Sequence, residues 1–118
     1  MFGGYSDKSW KGFHKFKSSK KAFLFSLKCY AGLLPTKMKL KSGRNSEAVC
    51  CHSSNGPTFG APHDLCIGHG SLGYTMKKGY TVIGSTYELP SGTSNTFLIG
   101  DYGCTPPFEV TEVEVVRV

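Results

Sequence analysis

The stretch Ala22-Phe23-Leu24-Phe25-Ser26-Leu27-Lys28 decides the fold class of this 118-residue chain. In an extended conformation successive side chains point to opposite faces, so Phe23, Phe25 and Leu27 share one face. Leu24 lies on the other face. Apolar side chains on both faces are typical of a strand whose two sides are both covered. The stretch therefore predicts a central strand of a β-sheet.

The segment Lys37-Met38-Lys39-Leu40-Lys41 alternates charged and apolar side chains. This period of two predicts a strand with Met38 and Leu40 turned inward and the lysines turned to solvent. A row of lysines is also a common means of protecting a sheet edge from pairing. We therefore expect this strand to border a sheet.

Short apolar segments separated by turn residues continue through the chain, whereas residues 6–20 have no clean period and are predicted as a loop. Further strands are predicted at Phe2–Tyr5, Glu47–Cys51, Asp64–Ile67, Tyr80–Ile83, Thr86–Leu89 and Phe97–Ile99, with a last one in Phe108–Val118. Gly84-Ser85 suits a tight hairpin turn, and a change of parity at Thr111-Glu112 indicates a β-bulge. A series of short strands separated by turns predicts a mainly β fold, an antiparallel β-sandwich with few short helices. Residues 1–118 are expected to form a single domain.

The net charge of +6 is unevenly distributed along the sequence. Residues 1–59 contain eleven of the 14 Lys and Arg residues but only Asp7 and Glu47 among the eight acidic ones. A basic half suits an acidic partner, nucleic acid or an anionic membrane surface, although a solvated surface that maintains solubility is the simpler explanation. The longest apolar run, Ala22–Phe25, is too short to span a membrane, and no secretory signal pattern is present. We therefore expect a cytoplasmic protein.

Five cysteines occur without CxxC spacing. In a reducing compartment we expect most of them to be small buried apolar side chains. The neighbouring histidines leave an alternative open, a thiol-based enzyme or peroxide scavenger that uses Cys50, Cys51 or Cys66. The spacing of the cysteines and histidines does not match a zinc site, so no metal is expected.

Two further segments bear on binding. Trp10 to Lys17 interleaves aromatic and lysine side chains, a pattern that can stack bases and neutralise phosphates, so a nucleic-acid-binding basic module is a second alternative. Gly56-Pro57-Thr58-Phe59-Gly60 lacks the Gly-Lys-Ser/Thr ending of a phosphate loop, and no helix follows it. The simplest role for His63 and Asp64 is to organise a turn in which Asp64 accepts backbone N–H bonds.

Three separated segments, taken together, resemble the TLDc domain, which is found in oxidation-resistance proteins and their relatives. They are Phe2-Gly3-Gly4-Tyr5-Ser6-Asp7-x-x-Trp10 followed by Ser18–Leu27, then Gly56–Leu65, and finally Thr96-Phe97-Leu98-Ile99-Gly100 with Glu112–Val115. Each segment is weak evidence alone, but their order and spacing make the resemblance fairly specific and nearly end to end.

The sequence departs from the family pattern in two places. The family's domain normally begins upstream of the Phe-Gly-Gly segment, so we expect this chain to match the larger C-terminal part of the domain, without the N-terminal helix and first strands. Between Phe59 and His63 the family usually has three glycines, whereas this chain has Gly60-Ala61-Pro62. Pro62 fixes its own φ and Ala61 disfavours positive φ, which restricts the conformations of the loop.

The resemblance implies a β-sandwich without an established active site or a required cofactor. It implies a non-enzymatic protein-interaction module that protects against oxidative damage, through binding and regulation of the peripheral sector of the vacuolar proton ATPase. By the family pattern, the residues that shape the central loop or bind there are Gly56, Pro57, Phe59, Gly60, His63 and Asp64. No catalytic residue, metal ligand or cofactor is expected.

Overall fold

The structure is a computed structural model that describes residues 1–10, 15–28, 32–52, 55–68, 78–99 and 108–109. The strands of this described part are β1 (Phe2–Tyr5), β2 (Lys15–Lys17), β3 (Phe23–Ser26), β4 (Thr36–Lys39), β5 (Val49–Cys51), β6 (Thr58–Phe59), β7 (Leu65–Cys66), β8 (Lys78–Thr81) and β9 (Phe108–Glu109), with a 3-10 helix at Asn45–Glu47. The strands form a three-stranded sheet in the order β1-β3-β4 and a six-stranded sheet in the order β2-β5-β6-β7-β8-β9. Every pairing is antiparallel, so the predicted mainly β fold is confirmed.

β3 is the central strand of the three-stranded sheet, as its sequence predicts. It pairs with β1 on one side and with β4 on the other, and Phe23 lies opposite both Tyr5 and Lys39. Leu24 is fully buried in the core. Phe23 and Phe25 are half-buried on the opposite face of the strand. Both faces of β3 are therefore apolar, but only the face of Leu24 belongs to the core.

The alternation predicted for β4 is confirmed. Met38 is buried, whereas Lys37 and Lys39 are exposed. The far edge of β4 is partly occupied, because the backbone N–H of Glu88 donates to the carbonyl of Lys39 at 2.8 Å. The lysine row thus borders an edge that a later segment of the chain covers in part.

The predicted hairpin of Tyr80–Ile83 with Thr86–Leu89 is wrong. β8 spans Lys78–Thr81, and the chain then crosses toward the other sheet, where Tyr87 forms an isolated antiparallel bridge with Leu40. A long-range contact between this segment and the buried carboxylate of Asp64 outweighs the local preference for a tight turn at the intervening glycine.

The predicted strand at Phe97–Ile99 is also wrong, because these residues form a turn. The N–H of Phe97 donates to the carbonyl of Ser94 at 3.1 Å, and the N–H of Ile99 donates to that of Thr96 at 3.1 Å. Phe97 is nevertheless 2% exposed. A short apolar run reveals burial, but it has no period that separates a strand from a buried turn.

Other element boundaries differ from those predicted. Glu47 lies in the 3-10 helix, so β5 begins at Val49, and β7 covers only Leu65–Cys66 of the predicted Asp64–Ile67. The sequence predicts loops where β2 and β6 occur, because strands this short are defined by their neighbours rather than by their own pattern. The β-bulge predicted at Thr111-Glu112 lies outside the described residues.

The core lies between the two sheets. Leu24 and Met38 contribute from the three-stranded sheet, and Val49, Phe59 and Leu65 contribute from the six-stranded sheet. Packing of two antiparallel sheets through their apolar faces is the arrangement of a β-sandwich. Burial of these side chains supplies the main favourable free energy of folding.

Candidate functional site

The residues predicted to shape a central loop lie in one hairpin of the six-stranded sheet. β6 and β7 pair with Phe59 opposite Leu65. The loop that connects the two strands, residues 60–64, contains the predicted Gly60, His63 and Asp64. These three residues therefore lie together at the closed end of the hairpin.

Gly56 and Pro57 lie at the open end of the same hairpin. The N–H of Gly56 donates to the carbonyl of Gly68 at 2.8 Å, and the carbonyl of Pro57 accepts from the N–H of Ile67 at 2.9 Å. These backbone bonds continue the β6–β7 ladder beyond the two strands. Gly56 and Pro57 therefore hold the open end together and are separated from the loop by the length of β6.

Phe59 belongs to the core rather than to a surface. Its side chain is 1% exposed, and its ring packs edge-to-face on Trp10 at 5.3 Å and on Tyr87 at 6.3 Å between centroids. A Cβ added to Gly4 would lie 2.5 Å from this ring, so the close packing requires glycine there. Phe59 shapes the sandwich from within and is inaccessible to a partner.

Asp64 links the loop to a segment about 20 residues later in the chain. Its side chain is fully buried. Oδ2 accepts from the N–H groups of Gly84 at 3.0 Å and Tyr87 at 3.0 Å, and both carboxylate oxygens accept from the N–H of Thr86 at 3.1 Å. We call Asp64 and residues 84–87 the Asp64 latch. It accounts for the direction that the chain takes after β8.

Burial raises the pKa of the Asp64 carboxyl, because burial disfavours the charged form. The N–H bonds from Tyr87, Gly84 and Thr86 act in the opposite direction. A carboxylate enclosed in this way is occupied by backbone donors and is not exposed to act as a base on a substrate. The geometry assigns Asp64 a holding role within the fold.

Thr86 and Tyr87 complete the latch, and sequence reasoning did not identify them. Thr86 Oγ1 accepts from the N–H of Ala61 at 2.9 Å and donates to its carbonyl at 3.1 Å. The hydroxyl of Tyr87 donates to the carbonyl of Ala48 at 2.6 Å. Burial, followed by the charge of Asp64, raises the pKa of Tyr87. In the sequence these two residues lie in a segment that suits a strand, and nothing in that pattern indicates a contact with Asp64.

Gly60 allows the loop backbone to pass close to the Asp64 side chain. Its φ is +83°, in the left-handed region that favours glycine. A Cβ added at this position would collide with Oδ1 of Asp64. Glycine at this position therefore keeps the carboxylate in the latch.

His63 contacts a different part of the molecule from its neighbour Asp64. Its φ of +128° is uncommon for a residue with a side chain and marks a strained backbone. Nδ1 of His63 forms a hydrogen bond with the hydroxyl of Tyr80 on β8. Burial is the main cause that raises the pKa of Tyr80 to about 12. Pro62 is exposed beside this pair, so residues 61–63 form the accessible tip of the hairpin.

The described cysteines have the opposite properties from a nucleophilic thiol. Cys50, Cys51 and Cys66 are free and buried. Burial raises the pKa of the Cys50 and Cys66 thiols, and Cys66 Sγ accepts a hydrogen bond from Thr58 Oγ1 at 3.4 Å. A reactive cysteine requires exposure and a lowered pKa. Cys29 and Cys104 lie outside the described residues.

A metal site and a nucleic-acid-binding segment at Trp10 to Lys17 each place requirements on the described residues. No group of three or more His, Cys, Asp or Glu side chains there is placed to hold a metal ion. The indole N–H of Trp10 donates to the carbonyl of Thr58 at 3.0 Å, and its ring packs on the core. Trp10 therefore takes part in packing within the protein and is not free to stack on a base. Phe16 on β2, by contrast, is 45% exposed. Phe13 and His14 fall outside the part that the structure describes.

Comparison with known proteins matches the chain to a family model described as the TLDc domain, which covers residues 1–118. No curated protein and no solved structure matches the chain. None of the helices in the described residues is long and apolar enough to cross a membrane.

Proposed function

Because the chain belongs to the TLDc domain family, whose members are generally non-catalytic modules that mediate protein interactions, we propose that it binds a protein partner and is not an enzyme. The family match over residues 1–118 is the observation that carries this proposal. The buried thiols with raised pKa values and the enclosed carboxylate of Asp64 support it, because they are unsuited to act on a substrate.

The partner in this proposal is the peripheral sector of the vacuolar proton ATPase, and the outcome is regulation of that pump and protection against oxidative damage. The net charge of +6 suits an acidic partner, because long-range attraction speeds association. The proposal also places the protein in the cytoplasm, where free cysteines remain reduced.

The tip of the β6–β7 hairpin is the part of the candidate site that we propose contacts the partner. Pro62 is exposed and His63 is half-buried. Gly60 and Asp64 lie beneath the tip, where the latch holds the backbone. A rigid sheet that presents a well-held loop is a common arrangement for recognition.

The direct test is retention of the purified chain on an immobilised peripheral sector of the pump. We expect the wild-type chain to be retained and His63→Ala to be retained more weakly. His52→Ala is the matched control, because His52 follows β5 and is not part of the tip. A wild-type chain that melts cooperatively but is not retained would reject this partner, and equal weakening by both histidine variants would reject the tip as the contact.

A further inference from the structure

The outer face of the three-stranded sheet carries aromatic and lysine side chains. Because directly opposed residues of antiparallel strands share a face, the register places Tyr5, Phe23 and Lys39 in one row. Phe25 and Lys37 lie in the next row. We call these five residues the aromatic–lysine face. It lies on the side of β3 opposite the core residue Leu24.

The rings of this face contact one another and a lysine ammonium group. The Tyr5 and Phe23 rings stack with centroids 5.3 Å apart, and Nζ of Lys37 lies 4.1 Å from the centroid of Phe23. Tyr5 belongs to β1 and Lys37 to β4, which flank β3 on opposite sides. The Phe23 ring is therefore engaged by a second ring and by an ammonium group from the two neighbouring strands.

An exposed apolar area continues the face at one end. The N–H of Leu27, two residues beyond Phe25, donates to the carbonyl of Met1 at 2.8 Å. Leu27 is 51% exposed and Met1 is 74% exposed. Leu27 directly follows β3, which ends at Ser26, so this exposed pair lies at the Phe25 end of the face. Exposed apolar side chains that adjoin a half-buried aromatic row are typical of an interaction surface.

The charged side chains around this area are mostly lysines. β1, β3 and β4 contain no acidic residue. Lys21 and Lys28 are exposed beyond the two ends of β3. Two acidic residues lie toward the Phe23 end of the face. Asp7 follows β1, and its pKa is lowered by the hydrogen bond from Ser19 and by nearby charges that include Lys21. The backbone N–H of Glu88 donates to the carbonyl of Lys39. The end that includes Leu27 and Lys37 therefore combines apolar side chains with a local excess of positive charge.

We propose that the aromatic–lysine face, together with Met1 and Leu27, binds an acidic protein segment that carries apolar side chains between its carboxylates. The carboxylates pair with Lys37 and Lys28, and the apolar side chains pack on Leu27 and the edge of Phe25. A protein segment suits this face better than single-stranded nucleic acid, because its most exposed apolar side chains, Met1 and Leu27, are aliphatic and cannot stack on bases, and Tyr5 and Lys37 already contact Phe23. This inference rests on the proposed binding function, and it gives that function a second contact surface, on the other sheet from the hairpin tip.

The test uses the whole purified chain and a synthetic peptide of alternating glutamate and leucine, followed by backbone amide NMR shifts. We expect the shifts to concentrate at Phe23, Phe25 and Leu27, and the Kd to rise about tenfold in Lys37→Glu because a favourable charge contact becomes repulsive. Lys15→Glu is the matched control, since Lys15 is exposed on β2 of the other sheet. Leu27→Ser is a second variant that tests the apolar contact without changing charge.

Several outcomes would overturn the inference. One is that the peptide causes no amide shifts at the face. Another is that Lys37→Glu and Lys15→Glu weaken peptide binding equally. A third is that oligothymidine or phosphatidylcholine–phosphatidylserine vesicles bind at the same amides more strongly than the peptide does. The proposed pump partner fails separately. A chain that binds the peptide at this face but is not retained by the pump keeps the inference and rejects the partner. A chain that is retained equally with and without Lys37→Glu and Leu27→Ser, and that does not bind the peptide, keeps the partner and rejects the inference.

Discussion

The Asp64 latch and the aromatic–lysine face use side chains in opposite ways. At the latch, a charged side chain is fully buried and its oxygens are occupied by backbone N–H groups. At the face, aromatic side chains remain half-exposed beside lysines that the strands do not neutralise. The difference indicates where the protein is held together and where it can recognise a partner, because buried polar groups are costly to disturb and exposed apolar groups are available for contact.

The largest expected effect is at the latch. Asp64→Ala leaves the N–H groups of Gly84, Thr86 and Tyr87 without their acceptor, so we expect the free energy of unfolding to fall by about 3 kcal/mol. Urea denaturation measures this loss. Asp7→Ala is the control, because Asp7 is an exposed carboxylate that accepts a hydrogen bond from Ser19, and its removal should change stability much less. Equal stability of the two variants would contradict the assignment of Asp64 as the anchor.

A smaller effect is expected at Gly60, and it tests whether the latch depends on close backbone approach. Gly60→Ala introduces a Cβ at a φ of +83° that collides with Oδ1 of Asp64, so we expect a loss of about 2 kcal/mol or more. Gly43→Ala is a matched control, because Gly43 has a φ of +80° and nothing within 4 Å of an added Cβ. Gly43→Ala should lower the free energy of unfolding by only about 1 kcal/mol, the cost of a side chain at positive φ. A Gly60 loss no larger than the Gly43 loss would show that the collision is relieved without disturbing the latch.

The smallest effect concerns Tyr80, which hydrogen-bonds to His63 at the hairpin tip. The folded state holds the pKa of Tyr80 at about 12 instead of the ordinary 10.0. Between these pH values the folded chain keeps a proton that the unfolded chain has lost, so stability decreases as the pH rises from about 10 to 12. Tyr80→Phe should make the stability of the chain fall less steeply over this window, as followed by urea denaturation at several alkaline pH values. An unchanged pH dependence would mean that Tyr80 titrates alike in both states, and would remove the argument that the tip is held by a desolvated phenol.

Sequence reasoning succeeded where the structure follows from residues close together in the chain. The faces of β3 and β4 were predictable, because alternation over four or five residues determines which side chains face the core. The short strands β2 and β6 were not predicted, because two or three residues carry too little pattern. The loop residues of the candidate site came from the family resemblance, and their roles as a contact surface remain predictions.

The wrong hairpin after β8 shows what local reasoning cannot supply. Gly84-Ser85 suits a tight turn. However, the carboxylate of Asp64, about 20 residues earlier in the chain, accepts hydrogen bonds from N–H groups of residues 84–87. No spacing rule relates Asp64 to Thr86 and Tyr87, because the contact depends on where two sheets place their loops. The same holds for Phe97–Ile99, whose burial was predictable although its turn conformation was not.

The sequence by itself determined the fold class, the central position of β3 and the inward and outward faces of β4, because side-chain alternation and turn residues act over a few residues. Only the tertiary structure decided which groups meet the Asp64 carboxylate and that Tyr5, Phe23 and Lys37 share one face. These outcomes depend on strand order and register, which bring together residues that are far apart in the chain and that no local pattern relates.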